Sequence, residues 1–139
     1  MVRIAIVDDN DGWCFALEIA LHRRGYETKA FTDPWQFLQC ADQFDVAIVD
    51  FCIPAPRYQI ELDGVSLIRQ VKEKFVHPPL LLLISSYFPE DAGETLGALC
   101  EEADRIMPRP SGIDQLLDPV EKLLAQRSAS RSGSRSSVA

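Results

Sequence analysis

Apolar residues along this chain fall into short continuous runs separated by stretches with helical periodicity. Three runs are strongly apolar and predict buried strands: Arg3 to Val7, Asp45 to Asp50 and Pro79 to Ile84. Two weaker strands are predicted at Glu27 to Phe31 and at Asp104 to Met107. Apolar runs without alternation are typical of strands that are covered on both faces of a parallel sheet.

Helical patterns follow each predicted strand. They extend over Trp13 to Arg24, Pro34 to Ala41, Gly64 to Phe75, Pro89 to Glu101 and Ile113 to Gln126. Asn10 or Asp11 can cap the first helix and Gly25 can close it, while Asp33 precedes a proline at the start of the second. Strands that alternate with helices in this way predict an α/β fold, a five-stranded parallel sheet with helices on both faces.

Charge is distributed unevenly between the body of the chain and its end. The 139 residues include 21 acidic and 14 basic ones, for a net charge of −7, and 47% are hydrophobic. An acidic body argues against nucleic acid or an anionic membrane as a partner. Residues 127–139 hold three arginines and no acidic residue. We expect one domain over residues 1–126 and a disordered Ser/Arg-rich tail over 127–139.

Cysteine usage and the amino terminus bear on the location of the protein. The four cysteines are far apart and form no CxxC pair, which disfavours a zinc knuckle or a redox dithiol. The first apolar run is too short for the core of a signal peptide, and no apolar stretch is long enough to span a membrane. These features predict a soluble, cytoplasmic protein.

Polar residues end four of the predicted strands, and their chemistry is complementary. Asp8 and Asp9 follow the first strand, Asp50 ends the third, Ser85 follows the fourth and Arg109 follows the fifth. Taken singly, an aspartate at the end of a strand is commonly a turn or helix-cap residue, and the run Asp8 to Asp11 alone is more typical of capping than of metal binding. In an open parallel sheet, however, the carboxyl ends of the strands form the ligand site. Carboxylates gathered there repel one another, and Mg²⁺ is the cation that such oxygen ligands suit.

The same residues resemble a known family. The segments that carry the resemblance are Ile6-Val7-Asp8-Asp9-Asn10, Val46 to Asp50 with Pro54 four places on, Ile84-Ser85-Ser86-Tyr87 and Ala103 to Pro110. Together they are similar to the receiver domain of two-component response regulators, including single-domain, chemotaxis-regulator-like members. The resemblance covers residues 2–125. It implies a (βα)5 flavodoxin-like receiver fold and a protein that switches a docking face when it is phosphorylated.

The resemblance also implies roles for particular residues. Asp50 is the expected phosphoacceptor, and Asp8, Asp9, Asp50 and the backbone carbonyl of Cys52 are the expected Mg²⁺ ligands. Ser85 and Arg109 are expected to contact the phosphoryl group, with Ser86, Tyr87, Ile106 and Pro110 modulating the switch. The implied partners are a histidine kinase or phosphotransfer protein upstream and an effector protein that docks on the face between the fourth helix and the fifth strand.

Three features depart from the family pattern. Arg109 occupies a position where the family has Lys, Ser85 replaces the more usual Thr, and Ile106 replaces the usual aromatic residue. Arg and Lys are not equivalent at a phosphoryl site, because the guanidinium is planar and larger. In addition, residues 55–63 make the loop after Asp50 longer than usual, which is consistent either with a lid over the acceptor or with a tolerated surface insertion.

Other functions remain open at this point. A receiver-like interaction module that works without phosphorylation has the same fold. A flavodoxin-like cofactor binder needs a phosphate-binding loop after the first strand, where Asp8 to Asp11 would repel phosphate. A Mg²⁺-dependent phosphatase with an Asp nucleophile needs a second acid two residues after Asp50, where Cys52 lies. Our reading is a free-standing phosphoacceptor with no enzyme activity beyond its own phosphorylation and autodephosphorylation.

Overall fold

Five parallel strands form one sheet. The computed structural model describes residues 1–50, 64–85, 101–110 and 112–138, with the backbone only for Ser85 and residues 128–138. The strands are β1 (Arg3–Val7), β2 (Glu27–Phe31), β3 (Val46–Asp50), β4 (Leu80–Ser85) and β5 (Arg105–Pro108). Their order in the sheet is β2-β1-β3-β4-β5. The predicted five-stranded parallel sheet is confirmed, and β1 and β2 begin and end at the predicted residues.

Local sequence sets the bounds of the helices. The described helices are α1 (Asp11–Arg23), α2 (Pro34–Cys40), α3 (Gly64–Lys74) and a C-terminal helix (Asp114–Val138), with a 3-10 turn at Ala41–Gln43. Asn10 caps α1, since its side chain accepts a hydrogen bond from the backbone N–H of Trp13 at 3.0 Å. Gly25 ends α1 with a φ of 88°, a left-handed conformation that favours glycine. All but the last residue of the predicted helix at 89–101 lies outside the described residues.

Alternate strand residues build a hydrophobic core on each face of the sheet. Ala5 and Val7 of β1 pack with buried residues of α2 and α3, among them Phe37 and Leu67. Ile4 and Ile6 point to the other face and pack with residues of α1 and the C-terminal helix, including Leu17 and Leu116. The alternation follows from the two-residue period of a strand. The predicted helices on both faces are therefore confirmed.

The C-terminal helix extends beyond its predicted end. Prediction ends it near Gln126 and leaves 127–139 as a disordered tail, but the backbone is helical through Val138. The guanidinium of Arg127 also donates a hydrogen bond to the backbone carbonyl of Asp45 at 3.0 Å, which ties the first residue of that segment to the residue before β3. Extending an existing helix requires no new nucleation, so Ser, Arg and Ala can continue a turn that packing has already started. The functional division at residue 126 stays a prediction.

Within residues 1–50, 64–85, 101–110 and 112–138, no helix has the length and apolar character that a membrane span requires.

Candidate functional site

The order of the strands creates a crevice between β1 and β3. The chain runs from β1 to β2 on one side and then crosses to β3 on the other, so these two neighbours are the point where the direction of winding reverses. Ligands of open α/β sheets bind outside the carboxyl ends of the strands at such a point. Val7 pairs with Val49, and the next residues along the two strands are therefore Asp8 and Asp50. The parallel register thus places their carboxylates side by side.

Three carboxylates meet in this crevice. Oxygen atoms of Asp8, Asp9 and Asp50 all lie within 4.8 Å of one another. Asp8 and Asp50 are buried, at 3% and 7% exposure, whereas Asp9 is exposed. Buried like charges are unfavourable unless cations or hydrogen bonds compensate them. The cluster therefore needs positive charge.

Arg109 supplies part of that charge from the end of β5. Its Nη2 donates a hydrogen bond to Asp8 Oδ2 at 2.7 Å and lies 3.4 Å from Asp50 Oδ2. Burial alone would lower the pKa of Arg109, but the hydrogen bond from Arg109 to Asp8 and the charges of Asp8 and Asp50 outweigh it, so its pKa is raised. Arg109 is thus a permanent cation between two of the carboxylates. Among the described residues, the single positive charge of Arg109 does not balance the three carboxylates.

The backbone around Asp8 is also held in place. The N–H of Asn10 donates to Asp8 Oδ1 at 3.0 Å, so each oxygen of this carboxylate has a hydrogen-bond donor. The thiol of Cys14 lies 3.5 Å from the Asp8 carbonyl oxygen. Burial, followed by the negative charges of Asp8, Glu18 and Asp11, raises the pKa of the Cys14 thiol to about 12. Of the three clustered carboxylates, Asp8 thus acts on the first turn of α1.

Trp13 belongs to the site and was not predicted to do so. The Arg109 guanidinium lies over its indole ring, with 4.9 Å from Cζ to the ring centroid. The sequence offered one signal, since Trp13 is in the first turn of α1, directly after the acidic loop. Nothing in the sequence identifies Arg109 as its partner, because that contact depends on the packing of β5 beside β4.

The remaining predicted site residues fall into two groups. Ser85 ends β4 and pairs with Pro108 of β5, and its side chain is outside the described part of the chain. Ile106 packs against the core on the face of the sheet that α2 and α3 cover. Pro110 is half-buried at the same edge of the sheet as Arg109. The predicted residues Cys52, Ser86 and Tyr87 and the long loop 55–63 lie outside the described residues. Their roles stay predictions.

The donor set suits a hard divalent cation. Carboxylate oxygens are preferred Mg²⁺ ligands, and Mg²⁺ is commonly bound through one or two carboxylates plus phosphate oxygens. Asp9 and Asp50 each place an oxygen within 4.8 Å of the others, and Asp9 is open to solvent. The residues present therefore fit the magnesium ion that the sequence predicts.

The curated proteins that this chain matches include transcriptional regulatory proteins and response regulators. No family model matches the chain. It is 25% identical over 129 residues to the transcriptional regulatory protein TrcR of Mycobacterium tuberculosis, which covers 91% of this chain and 47% of TrcR. It is 28% identical over 134 residues to the virulence transcriptional regulatory protein PhoP of Salmonella typhimurium, covering 92% of this chain and 54% of PhoP. The chain thus spans about half the length of these relatives.

Solved structures share the fold over most of the chain. The receiver domain of a Francisella response regulator matches with a TM-score of 0.74 and 20% identity, covering 91% of this chain and 99% of that one. The response regulator TrrA of Thermotoga maritima, in complex with Mg²⁺ and BeF, matches with a TM-score of 0.70 and 22% identity, covering 88% and 99%.

The sequence relatives, the solved structures and the geometry of the site point to the same kind of domain. The regulators align over about nine-tenths of this chain, the receiver domains superpose on the same extent, and the carboxyl edge of the sheet carries the acidic cluster expected from the sequence. The chain therefore has the fold of response-regulator receiver domains and is similar in sequence to response regulators.

Proposed function

We propose that Asp50 accepts a phosphoryl group from a phosphohistidine of an upstream histidine kinase or phosphotransfer protein, or from a small donor such as acetyl phosphate. The observation that carries the proposal is the gathering of Asp8, Asp9 and Asp50 within 4.8 Å, with Arg109 beside two of them. A buried carboxylate flanked by carboxylates and one fixed cation is suited to holding a phosphoryl group together with a divalent cation.

The chemistry follows from the positions of the charges. A carboxylate oxygen of Asp50 attacks phosphorus, the new O–P bond forms as the N–P bond of the donor breaks, and the electron pair stays on the imidazole nitrogen, which is reprotonated. Magnesium, when bound, would neutralise phosphoryl oxygens and orient them for this displacement. Asp9 and Asp8 would hold that ion, together with the backbone carbonyl of Cys52. Arg109 supplies the protein's own positive charge beside the transferred group.

Transfer changes the electrostatics of the crevice, and this is the basis of signalling. Asp50 gains a phosphoryl group with about 1.5 to 2 negative charges at neutral pH. Arg109 then has a stronger anion within reach than the Asp8 carboxylate. Ser85, at the end of β4, is the hydroxyl that we propose donates to the phosphoryl group, with Ser86, Tyr87, Ile106 and Pro110 modulating the response. The resulting shift biases a two-state docking face.

The proposed partners are proteins. Upstream, a histidine kinase or phosphotransfer protein supplies the phosphoryl group, and downstream an effector protein reads the docking face. The names of TrcR and PhoP state that those whole proteins regulate transcription. The net charge of −7 on this chain disfavours direct contact between the receiver domain and nucleic acid. We propose a cytoplasmic location, where such kinases deliver their phosphoryl groups.

Phosphorylation with acetyl phosphate tests the proposal. The protein should gain the mass of one phosphoryl group in acetyl phosphate and Mg²⁺, the gain should be lost in neutral hydroxylamine, and Asp50→Asn should gain nothing. Asp45→Asn is the matched control, because Asp45 is a half-buried aspartate at the opposite end of β3. If the parent protein gains no mass, or if Asp50→Asn gains as much as the parent, the proposal is wrong and the interaction-module alternative takes its place.

A further inference from the structure

Four residues form a closed circuit of contacts on one side of the acidic cluster. The Asn10 N–H donates to Asp8 Oδ1 at 3.0 Å, and the Asn10 side chain accepts from the Trp13 N–H, also at 3.0 Å. The Trp13 ring lies under the Arg109 guanidinium, and Arg109 returns to Asp8 Oδ2 at 2.7 Å. Each member is thereby fixed by two others. A guanidinium that is hydrogen-bonded to a carboxylate and stacked on an indole in this way restricts the rotamers open to the Arg109 side chain.

The indole is well suited to fixing the guanidinium. Trp has the strongest cation–π attraction of the aromatic side chains, and the attraction grows as the cation is removed from water. The Arg109 side chain is 23% exposed, so water competes with the contact only in part. The planar guanidinium also stacks on an aromatic face in a way that a lysine ammonium does not. Trp13 and Arg109 therefore form a matched pair that a lysine at position 109 would not reproduce.

The same contact places Arg109 in competition with a metal ion. Asp8 Oδ1 is bonded to the Asn10 N–H and Asp8 Oδ2 to Arg109, so both oxygens of Asp8 already have a donor. Arg109 Nη2 is also within 3.4 Å of Asp50 Oδ2. A divalent cation that binds Asp8 Oδ2 or Asp50 Oδ2 must weaken the contact of Arg109 with that oxygen. The protein's fixed cation and Mg²⁺ thus share ligands.

We propose that Trp13 is a positioning residue that clamps Arg109 onto Asp8 and Asp50, so that it both weakens Mg²⁺ binding and aligns the guanidinium for the phosphoryl group. The inference rests on the proposed phosphoacceptor function. Loss of the indole would free Arg109 to leave the carboxylates. Mg²⁺ would then bind more tightly, while phosphoryl transfer at saturating Mg²⁺ would be slower. A purely structural role for Trp13 predicts that both properties deteriorate together.

Substitutions at Trp13 separate these readings. Trp13→Leu removes the aromatic face but keeps an apolar side chain for the neighbouring core, and Trp13→Phe keeps a weaker aromatic face. By isothermal titration calorimetry, Trp13→Leu should bind Mg²⁺ about three to ten times more tightly than the parent, with Trp13→Phe between the two. The rate of phosphorylation by acetyl phosphate at saturating Mg²⁺ should follow the opposite order. Phe15→Leu is the control, since Phe15 is an aromatic residue of α1 that is 67% exposed.

A second measurement uses the metal-free protein and does not depend on phosphorylation. Protons of the Arg109 side chain that lie over an indole ring resonate upfield, and this displacement should disappear in Trp13→Leu and remain in Phe15→Leu. If Trp13→Leu does not fold, Trp13→Phe still decides the matter: tighter Mg²⁺ binding than in the parent supports the clamp, and equal or weaker binding overturns it.

Two results overturn the inference while leaving the proposed function intact. The first is an Arg109 proton spectrum that Trp13→Leu does not change. The second is Mg²⁺ affinity in Trp13→Leu equal to or below that of a parent protein that binds Mg²⁺ and is phosphorylated. A parent protein that neither binds Mg²⁺ nor accepts a phosphoryl group overturns the proposed function instead, and with it the competition between Arg109 and the metal.

Discussion

Aspartates lie at both edges of the sheet, but their carboxylates have different partners. At the amino edge, Asp45 accepts a hydrogen bond from the Arg3 N–H at 2.8 Å, and Asp104 accepts one from the Leu81 N–H at 2.7 Å. Asp104 also lies 3.4 Å from the Lys72 ammonium. Each of these carboxylates is thus used to begin a strand.

At the carboxyl edge, by contrast, the carboxylates gather. Asp8, Asp9 and Asp50 come within 4.8 Å of one another, and one arginine lies beside two of them. Both edges carry aspartates, but the aspartates lie apart at the amino edge and close together at the carboxyl edge. Dispersed aspartates bond to backbone N–H groups and stabilise the fold, whereas clustered aspartates repel one another and, in the proposed function, hold a cation beside a phosphoryl group. Two substitutions test this difference directly, and two more test contacts made by the neighbouring helices.

The largest expected effect is on metal binding at the carboxyl edge. Asp9→Asn should weaken Mg²⁺ binding by about tenfold or more, because it removes an exposed anionic ligand from the cluster. Its free energy of unfolding without Mg²⁺ should not fall, since a like charge is removed. Calorimetry and urea unfolding measure the two quantities. Unchanged Mg²⁺ affinity would mean that Asp9 is no ligand.

At the amino edge, we expect a substitution to change the stability of the fold and leave Mg²⁺ affinity unchanged. Asp104→Ala should lower the free energy of unfolding by about 1–3 kcal/mol, because the Leu81 N–H and the Lys72 ammonium lose their acceptor. Mg²⁺ affinity should stay at the parent value. Urea unfolding with paired calorimetry checks both. A large loss of Mg²⁺ affinity would show that the two edges are coupled rather than separate.

A smaller effect concerns pH and the first turn of α1. The Cys14 pKa is raised from 9.0 to about 12 by burial and by nearby carboxylates, so the folded protein favours the neutral thiol. The stability from this preference is complete below pH 9.0 and is lost as the pH rises toward about 12. The free energy of unfolding should therefore fall less steeply over this range in Cys14→Ala than in the parent. Equal slopes would contradict the assigned pKa.

The smallest effect is expected for an ion pair that belongs to neither edge. Arg24, after α1, pairs with Glu121 of the C-terminal helix, and both side chains are more than two-fifths exposed. Glu121→Gln should change the free energy of unfolding by less than about 1 kcal/mol, since water and salt screen such pairs. Thermal unfolding at low and high salt checks this. A larger loss would show that the C-terminal helix depends on this contact.

Much of the fold could be predicted because its signals are local. The apolar run of β1, the cap at Asn10 and the glycine at Gly25 each act within a few residues, and the structure has them where they were expected. The end of the C-terminal helix was placed too early, near Gln126 instead of Val138. A serine- and arginine-rich segment carries no apolar periodicity, so its sequence does not show that it continues a helix already formed.

The sequence was enough to predict that these residues gather, but it did not show their contacts. Asp8, Asp50 and Arg109 could be chosen because each lies at the carboxyl end of a strand, and the carboxyl ends of parallel strands share one edge; their roles stay predictions. The bond between Asp8 and Arg109 joins positions 101 apart, and it depends on strand order and register. The contact between Trp13 and Arg109 depends in addition on how α1 packs on the sheet. Neither is encoded in any local pattern.

The identity of the phosphorylated residue is the most direct test of the proposed phosphoacceptor. Borohydride reduces an aspartyl phosphate to homoserine, so treatment after acetyl phosphate and Mg²⁺ marks the acceptor permanently, and mass mapping of the peptides locates it. We expect homoserine at position 50 and nowhere else, with none in a sample prepared without Mg²⁺. Homoserine at position 8 or 9, or none in the complete reaction, would show that Asp50 is not the acceptor.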